Sequence, residues 1–241
     1  MHTLSLSGIH VTLPCAAAEL LICIGGGRAP SPTWFTDLLS AMEKSGITSH
    51  ILAIDKGVNL CRAVSKSPSL LIGDGDSASP EAWTWAVEHG AEVYRFPVEK
   101  DDSDTALSLR IAAQHFTRPL IILTAAFGGR LDHLFSTAAI CAHAPVPCIL
   151  IDEKEALLYL RGGESISIAC DEMPRAISLL PFTEECAGVT TQGLHWELTG
   201  TVISARASTT ISNIISPKNT ARRFSIHLER GILGVYLCWQ E

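Results

Sequence analysis

The segment LLIGDGDSASPEAWTWAVEHGAEVYRF, residues 70–96, decides the fold. It opens on a short apolar run, 70–72, without polar residues at alternate positions, as in a strand covered on both faces. Gly73-Asp74-Gly75-Asp76-Ser77 then interrupts it, because glycine admits backbone conformations that other residues resist. Helical spacing follows over 80–89. Ser79 stands where an N-cap is needed, Pro80 occupies the first turn, Glu81 suits the positive end of the helix dipole and Gly90 supplies the stop. A second apolar run, 93–96, closes the unit, and a strand-helix-strand crossover implies parallel strands.

Working outward, apolar runs recur at 20–24, 50–54, 120–123 and 148–151, with helical spacing at 103–115 and 130–143. This alternation predicts an α/β N-terminal domain with a mostly parallel sheet. The stretch 13–24 reads as one buried strand running into Gly25-Gly26-Gly27. After Asp152-Glu153-Lys154-Glu155 the texture changes. Short runs at 165–169, 176–180, 201–204, 224–228 and 234–238, separated by Gly, Pro, Ser and Thr, predict an all-β region. Domains are therefore expected at 1–155 and 156–241.

Of the 241 residues, 47% are hydrophobic and 18% charged, which excludes a disordered chain. With 25 acidic side chains against 18 basic ones and no Lys/Arg run, the chain is not expected to bind nucleic acid. Eight cysteines without a C-x-x-C pair read as reduced, buried thiols. No apolar segment reaches the roughly 20 residues of a membrane helix, so a cytoplasmic protein without a membrane partner is expected.

The unusual residues fall in the loops after the strands. Asp55 follows the second, the 73–77 loop the third, Lys100-Asp101-Asp102-Ser103-Asp104 the fourth, and Gly128-Gly129-Arg130-Leu131-Asp132-His133 the fifth. In an open parallel sheet these loops share the rim where ligands bind. Asp74, Asp76, Asp101 and Asp104 offer the hard oxygen ligands that suit Mg²⁺, with substrate phosphates completing the shell. Such carboxylates alone would repel a nucleotide; a bridging cation turns them into its anchor. Between 74 and 104 there are nine acidic residues and two basic ones, a difference equal to the whole formal charge of −7. The competing reading makes Asp74 and Asp104 simple turn and helix caps. Gly128-Gly129-Arg130 at a helix start is a phosphate-site pattern. Gly25-Gly26-Gly27-Arg28 reads equally as a phosphate loop or a plain turn.

These loops, in this order, resemble the thiamine pyrophosphokinase (thiamine diphosphokinase) family. The matching segments are Ala53-Ile54-Asp55-Lys56-Gly57-Val58-Asn59, the 73–77 loop, Lys100 to Asp104 with Ala106-Leu107, and Gly128 to His133. Ser178-Leu179-Leu180-Pro181, Gly193-Leu194-His195-Trp196 and Ser212-Asn213 also fit. The usual Asp-Gly-Gly run reads Asp55-Lys56-Gly57 here, and Ser103 stands where Thr is common. The resemblance implies a C-terminal β-sandwich after the α/β domain, and a homodimer whose interface helps form the thiamine site. It also implies transfer of pyrophosphate from ATP to the thiamine hydroxyl, releasing AMP. Asp74, Asp76 and Asp104 would hold Mg²⁺, with Asp101 as a further ligand or orienting acceptor. Arg130 and Lys100 would hold phosphates beside Gly128 and Gly129. Asp55, Asp132 and His133 would line the nucleotide or thiamine side, and Trp196, Ser212 and Asn213 would recognise thiamine. The alternatives are a phosphohydrolase with an Asp nucleophile, a diphosphokinase for another acceptor such as a pterin, and a binding sensor without turnover.

Overall fold

The computed structural model describes residues 2–14, 16–96 and 102–240. The chain forms two compact units, Ala17–Asp152 and, together, Met1–Ala16 with Glu153–Glu241. The opening residues thus leave the span 1–155 and join the second unit. They form a hairpin of β1 (His2–Leu6) and β2 (Ile9–Leu13), turned at Gly8 with φ of +103°. Residues 13–24 are accordingly two segments. Burial alternates along β2, a strand covered on one face, whereas β3 (Glu19–Ile24) is buried throughout after Glu19.

The α/β unit continues as α1 (Pro32–Lys44), β4 (Thr48–Ile54), a single 3-10 turn (Asp55–Gly57), α2 (Val58–Ala63), β5 (Leu70–Ile72), α3 (Pro80–Glu88) and β6 (Glu92–Tyr94). It ends with α4 (Asp104–His115), β7 (Pro119–Thr124), α5 (Leu131–His143) and β8 (Cys148–Ile151). The strands lie in the order β8-β7-β3-β4-β5-β6 and every pairing is parallel. All six residues of β7 and all four of β8 are buried, the physical basis of their unbroken apolar runs. Ser31, Ser79 and Ser103 each accept from a backbone N–H of the first turn, at 3.3, 3.1 and 3.2 Å, and so cap α1, α3 and α4. The Ser31-Pro32 start of α1 repeats the signal of α3, although sequence reading passes over it.

In the second unit follow β9 (Glu155–Arg161), β10 (Ser165–Cys170), β11 (Ala176–Pro181), β12 (Glu185–Gln192), β13 (Thr201–Ser204), β14 (Arg223–His227) and β15 (Ile232–Cys238). An antiparallel sheet runs β1-β2-β10-β14-β12-β13, and β15 pairs antiparallel with β11 and β9. Hence the fold class is a mostly parallel α/β unit with a sandwich-like all-β unit. The cysteines at 23, 61, 141, 148, 170, 186 and 238 are buried free thiols. Among the described residues no helix is long and apolar enough to cross a membrane.

Candidate active site

Strand order reverses direction at β3: β4 to β6 extend to one side of it, β7 and β8 to the other. The loops after β3 and β7 therefore part and leave a crevice at their carboxyl ends, where open α/β sheets bind ligands. A cavity of about 500 Å³ occupies this place. Its wall includes Gly25–Gly27, Asp55, Lys56, Ser77, Ser103–Thr105, Gly128–Arg130, His133 and Thr137. The four loops expected from their order along the chain thus meet at one rim, and the Gly25–Gly27 loop after β3 joins them.

Asp55 follows β4 in a left-handed conformation, φ of +45°, and its Oδ1 accepts the Gly75 N–H at 3.2 Å. That approach requires glycine at 73, since a Cβ there would lie 1.9 Å from Asp55 Oδ1. Gly75, with φ of +81°, rests on the ring of buried Trp83, so α3 supports the loop from beneath. Asp74 Oδ1 accepts the Asp76 N–H at 3.0 Å and shapes the turn. The result is a group of three carboxylates, Asp55, Asp74 and Asp76, with one oxygen of each within 4.8 Å of the others. Burial pushes the Asp55 carboxyl up to about 6, and the neighbouring charges of Asp104 and Asp74 add to the effect. Carboxylates crowded in this way are suited to a divalent cation. Asp55, placed by sequence reading on the nucleotide or thiamine side, thus stands with the cation-ligand candidates, and Asp104 faces it. Lys100 and Asp101 lie outside the described residues.

On the opposite wall, Arg130 donates from Nε and Nη2 to Asp132 at 3.1 and 2.6 Å, and Asp132 also accepts the His133 N–H at 2.9 Å. Arg130 holds the Asp132 carboxyl below its usual range, chiefly through this hydrogen bonding. Asp132 therefore orients the arginine at the start of α5. Ser77, the end of the 73–77 loop, joins the wall together with Thr137, one turn beyond His133 on α5, and Thr105, which no motif announces.

The all-β unit has its own cavity of about 470 Å³, lined by Leu179, Trp196, Leu198 and residues 209–213. Trp196, Ser212 and Asn213, far apart in sequence, come together there. Their roles differ. Trp196 is 59% exposed, whereas the Asn213 amide is committed to the protein: Nδ2 donates to Trp196 O at 2.8 Å, and Oδ1 accepts from the backbone N–H groups of Trp196 and Ile214 at 3.2 and 2.9 Å. Ser212 has φ of +61°, and its N–H donates to Ser178 Oγ at 3.0 Å.

Gathered carboxylates beside glycine turns and an arginine, at the switch point of a parallel sheet, equip a protein for phosphoryl-group transfer. The family model described as "Thiamin pyrophosphokinase, catalytic domain" matches residues 45–147, and "Thiamin pyrophosphokinase, vitamin B1 binding domain" matches residues 165–233, together well over half the chain. The chain belongs to the thiamine pyrophosphokinase family, whose activity moves pyrophosphate from ATP to the hydroxyl of thiamine. It is 26% identical over 166 residues to thiamine pyrophosphokinase of Bacillus subtilis, covering 67% of this chain and 76% of the relative. Identity is 27% over 211 residues to thiamine pyrophosphokinase 1 of Oryza sativa subsp. japonica, covering 82% and 72%. Among solved structures, thiamine pyrophosphokinase from Bacillus subtilis superposes with a TM-score of 0.75 at 23% identity, covering 92% of this chain and all of that one. The Candida albicans thiamin pyrophosphokinase gives 0.71 at 16%, covering 91% and 90%.

Proposed function

We propose that the pyrophosphate transfer depends on Mg²⁺ and takes place at the crevice of the α/β unit. The observation that carries this reading is the meeting of Asp55, Asp74 and Asp76 oxygens beside Asp104 at the carboxyl ends of parallel strands. Asp74, Asp76 and Asp104, joined by Asp55, would hold the cation, which when bound offsets charge on phosphate oxygens. Arg130, oriented by Asp132, holds phosphates; Gly128 and Gly129, both with φ of +71°, let the backbone approach them. His133 borders the same side. Asp101 and Lys100 retain the roles implied by the resemblance.

In the all-β unit, the exposed Trp196 ring would stack against the cationic thiazolium of thiamine. Asn213 would act through Trp196, fixing its backbone, and Ser212 would border the cavity. The protein would work as a homodimer that completes the thiamine site. Exposed Leu131 and Phe135, one turn apart on α5 beside the crevice, support a protein-covered surface there.

Incubation with ATP, thiamine and Mg²⁺ tests the reading. AMP and thiamine diphosphate should form together and cease on chelation with EDTA. Full turnover in EDTA would refute the metal requirement, and ADP as the nucleotide product would refute pyrophosphate transfer.

A further inference from the structure

The loop Gly25-Gly26-Gly27-Arg28 closes one side of the crevice, yet it has little left to offer an anion. The amides of Gly25, Gly27 and Arg28 donate to the carbonyls of Thr124, Ala125 and Phe127 at 2.8, 2.6 and 2.7 Å. The Arg28 guanidinium is turned onto Asp152. The glycines at 25 and 27 serve close packing, since a Cβ at either would lie under 3 Å from Ala125 O. This stretch, in which phosphate loop and plain turn were both open readings, is chiefly a strand-to-strand stitch.

Over the remaining residue, Gly26, lies the stem of Lys56. A Cβ on Gly26 would sit 3.4 Å from Lys56 Cε and 3.7 Å from Cγ. The left-handed turn at Asp55 sends consecutive side chains to different walls: the Asp55 carboxylate to Gly75, and the Lys56 stem across to Gly26. Lys56 is exposed and lines the cavity. Arg130 is bound to Asp132 and Arg28 to Asp152, whereas Lys56 has no ion-pair partner among the described residues.

We propose that Lys56 is a substrate-binding residue whose ammonium contacts a phosphate oxygen of the nucleoside triphosphate. It would supply, on the glycine-loop wall, the positive charge that the committed amides cannot. A compact ammonium on a flexible stem suits such a contact, because it can follow phosphates that move as one bond breaks and another forms. This inference rests on the nucleotide reading of the crevice, so its test separates the two.

A non-hydrolysable ATP analogue is titrated calorimetrically, with Mg²⁺, into wild type, Lys56→Met, Lys56→Gln and Lys56→Arg, each first matched for thermal melting. KM for ATP and for thiamine is measured alongside. Loss of one charge-assisted contact should weaken analogue binding and raise KM for ATP about 10- to 100-fold in the Met and Gln variants. KM for thiamine should stay within about twofold, and Arg should restore most of the affinity. Wild-type binding with unchanged affinity in Lys56→Met and Lys56→Gln overturns the role of Lys56 alone. Absence of analogue binding by wild type overturns the nucleotide reading, and Lys56 with it.

Discussion

Arg28 donates from both Nε and Nη2 to one oxygen of Asp152, at 3.1 and 2.7 Å, and so ties the loop after β3 to the end of β8. The Asp152 side chain is 1% exposed and that of Arg28 32%. Removing the guanidinium takes this ion-pair partner from a buried carboxylate, which costs about 3–5 kcal/mol when both partners are fully buried. Solvent at Arg28 reduces this, and urea unfolding of Arg28→Met should show a loss of about 2–3 kcal/mol. The double variant Arg28→Met/Asp152→Leu, which removes the buried charge as well, should recover part of the loss. Equal stability of Arg28→Met and wild type would show that the pair contributes nothing.

On the proposed cation site, charge removal should affect turnover before folding. Asp74→Asn and Asp104→Asn should each lower kcat at least ~100-fold, the scale lost with one electrostatic stabiliser. Wild-type rates in either variant would remove that residue from the cation shell.

Asp55 makes the metal-free protein sensitive to pH. Its folded value of about 6 lies above the ordinary 3.8, so protonation favours the folded state between the two. Stability in EDTA should therefore be highest at the acid end of this window, fall as pH rises from about 4 to about 6, and stay reduced above it. The full linkage value of about 3 kcal/mol is reduced to roughly 1–2 kcal/mol because the carboxyl is only half-buried. Asp55→Asn should flatten this slope, and Mg²⁺ should raise Tm more at pH 7 than at pH 5. Melting curves of the variant that parallel wild type across the window would contradict the assignment.

Asn213 and Trp196 should behave as one unit in thiamine recognition. Trp196→Ala removes the aromatic face, a change of about 1–2 kcal/mol, or roughly 5- to 30-fold in KM for thiamine. Asn213→Ala frees the backbone that presents the ring, and should approach the same loss while leaving KM for ATP unchanged. In the double variant the effects should not add. Additive effects would mean that Asn213 contacts thiamine independently.

Leu131 and Phe135 are 79% and 75% exposed. The double variant Leu131→Glu/Phe135→Glu should sediment as a monomer at micromolar concentration and lose activity. A wild type that is itself monomeric would refute the dimer.

Much of the α/β unit was legible in the chain. The runs that form β5 and β8 could be bounded to the residue, because strands buried on both faces tolerate no polar interruption. The Ser79-Pro80 start of α3 and its stop at Gly90 were equally plain, because caps act within one turn. The N-terminal hairpin was not, since the assignment of β2 depends on its pairing with β10, more than 150 residues later. β9 and β12 were passed over, as their burial follows from neighbours distant in sequence.

At the site, the sequence by itself determined the inventory: which carboxylates, glycines and cations stand in the loops after each strand. Local residue chemistry suffices for that, because a polar loop after a buried strand ends at the sheet rim. Only the tertiary structure decided the partnerships. It put Asp55 among the carboxylates, gave Arg28 to Asp152 and Arg130 to Asp132, bound Asn213 to Trp196, and laid Lys56 over Gly26. Hydrogen bonds and ion pairs act over about 3 Å, and which groups come that close is settled by strand order and left-handed turns, not by spacing along the chain.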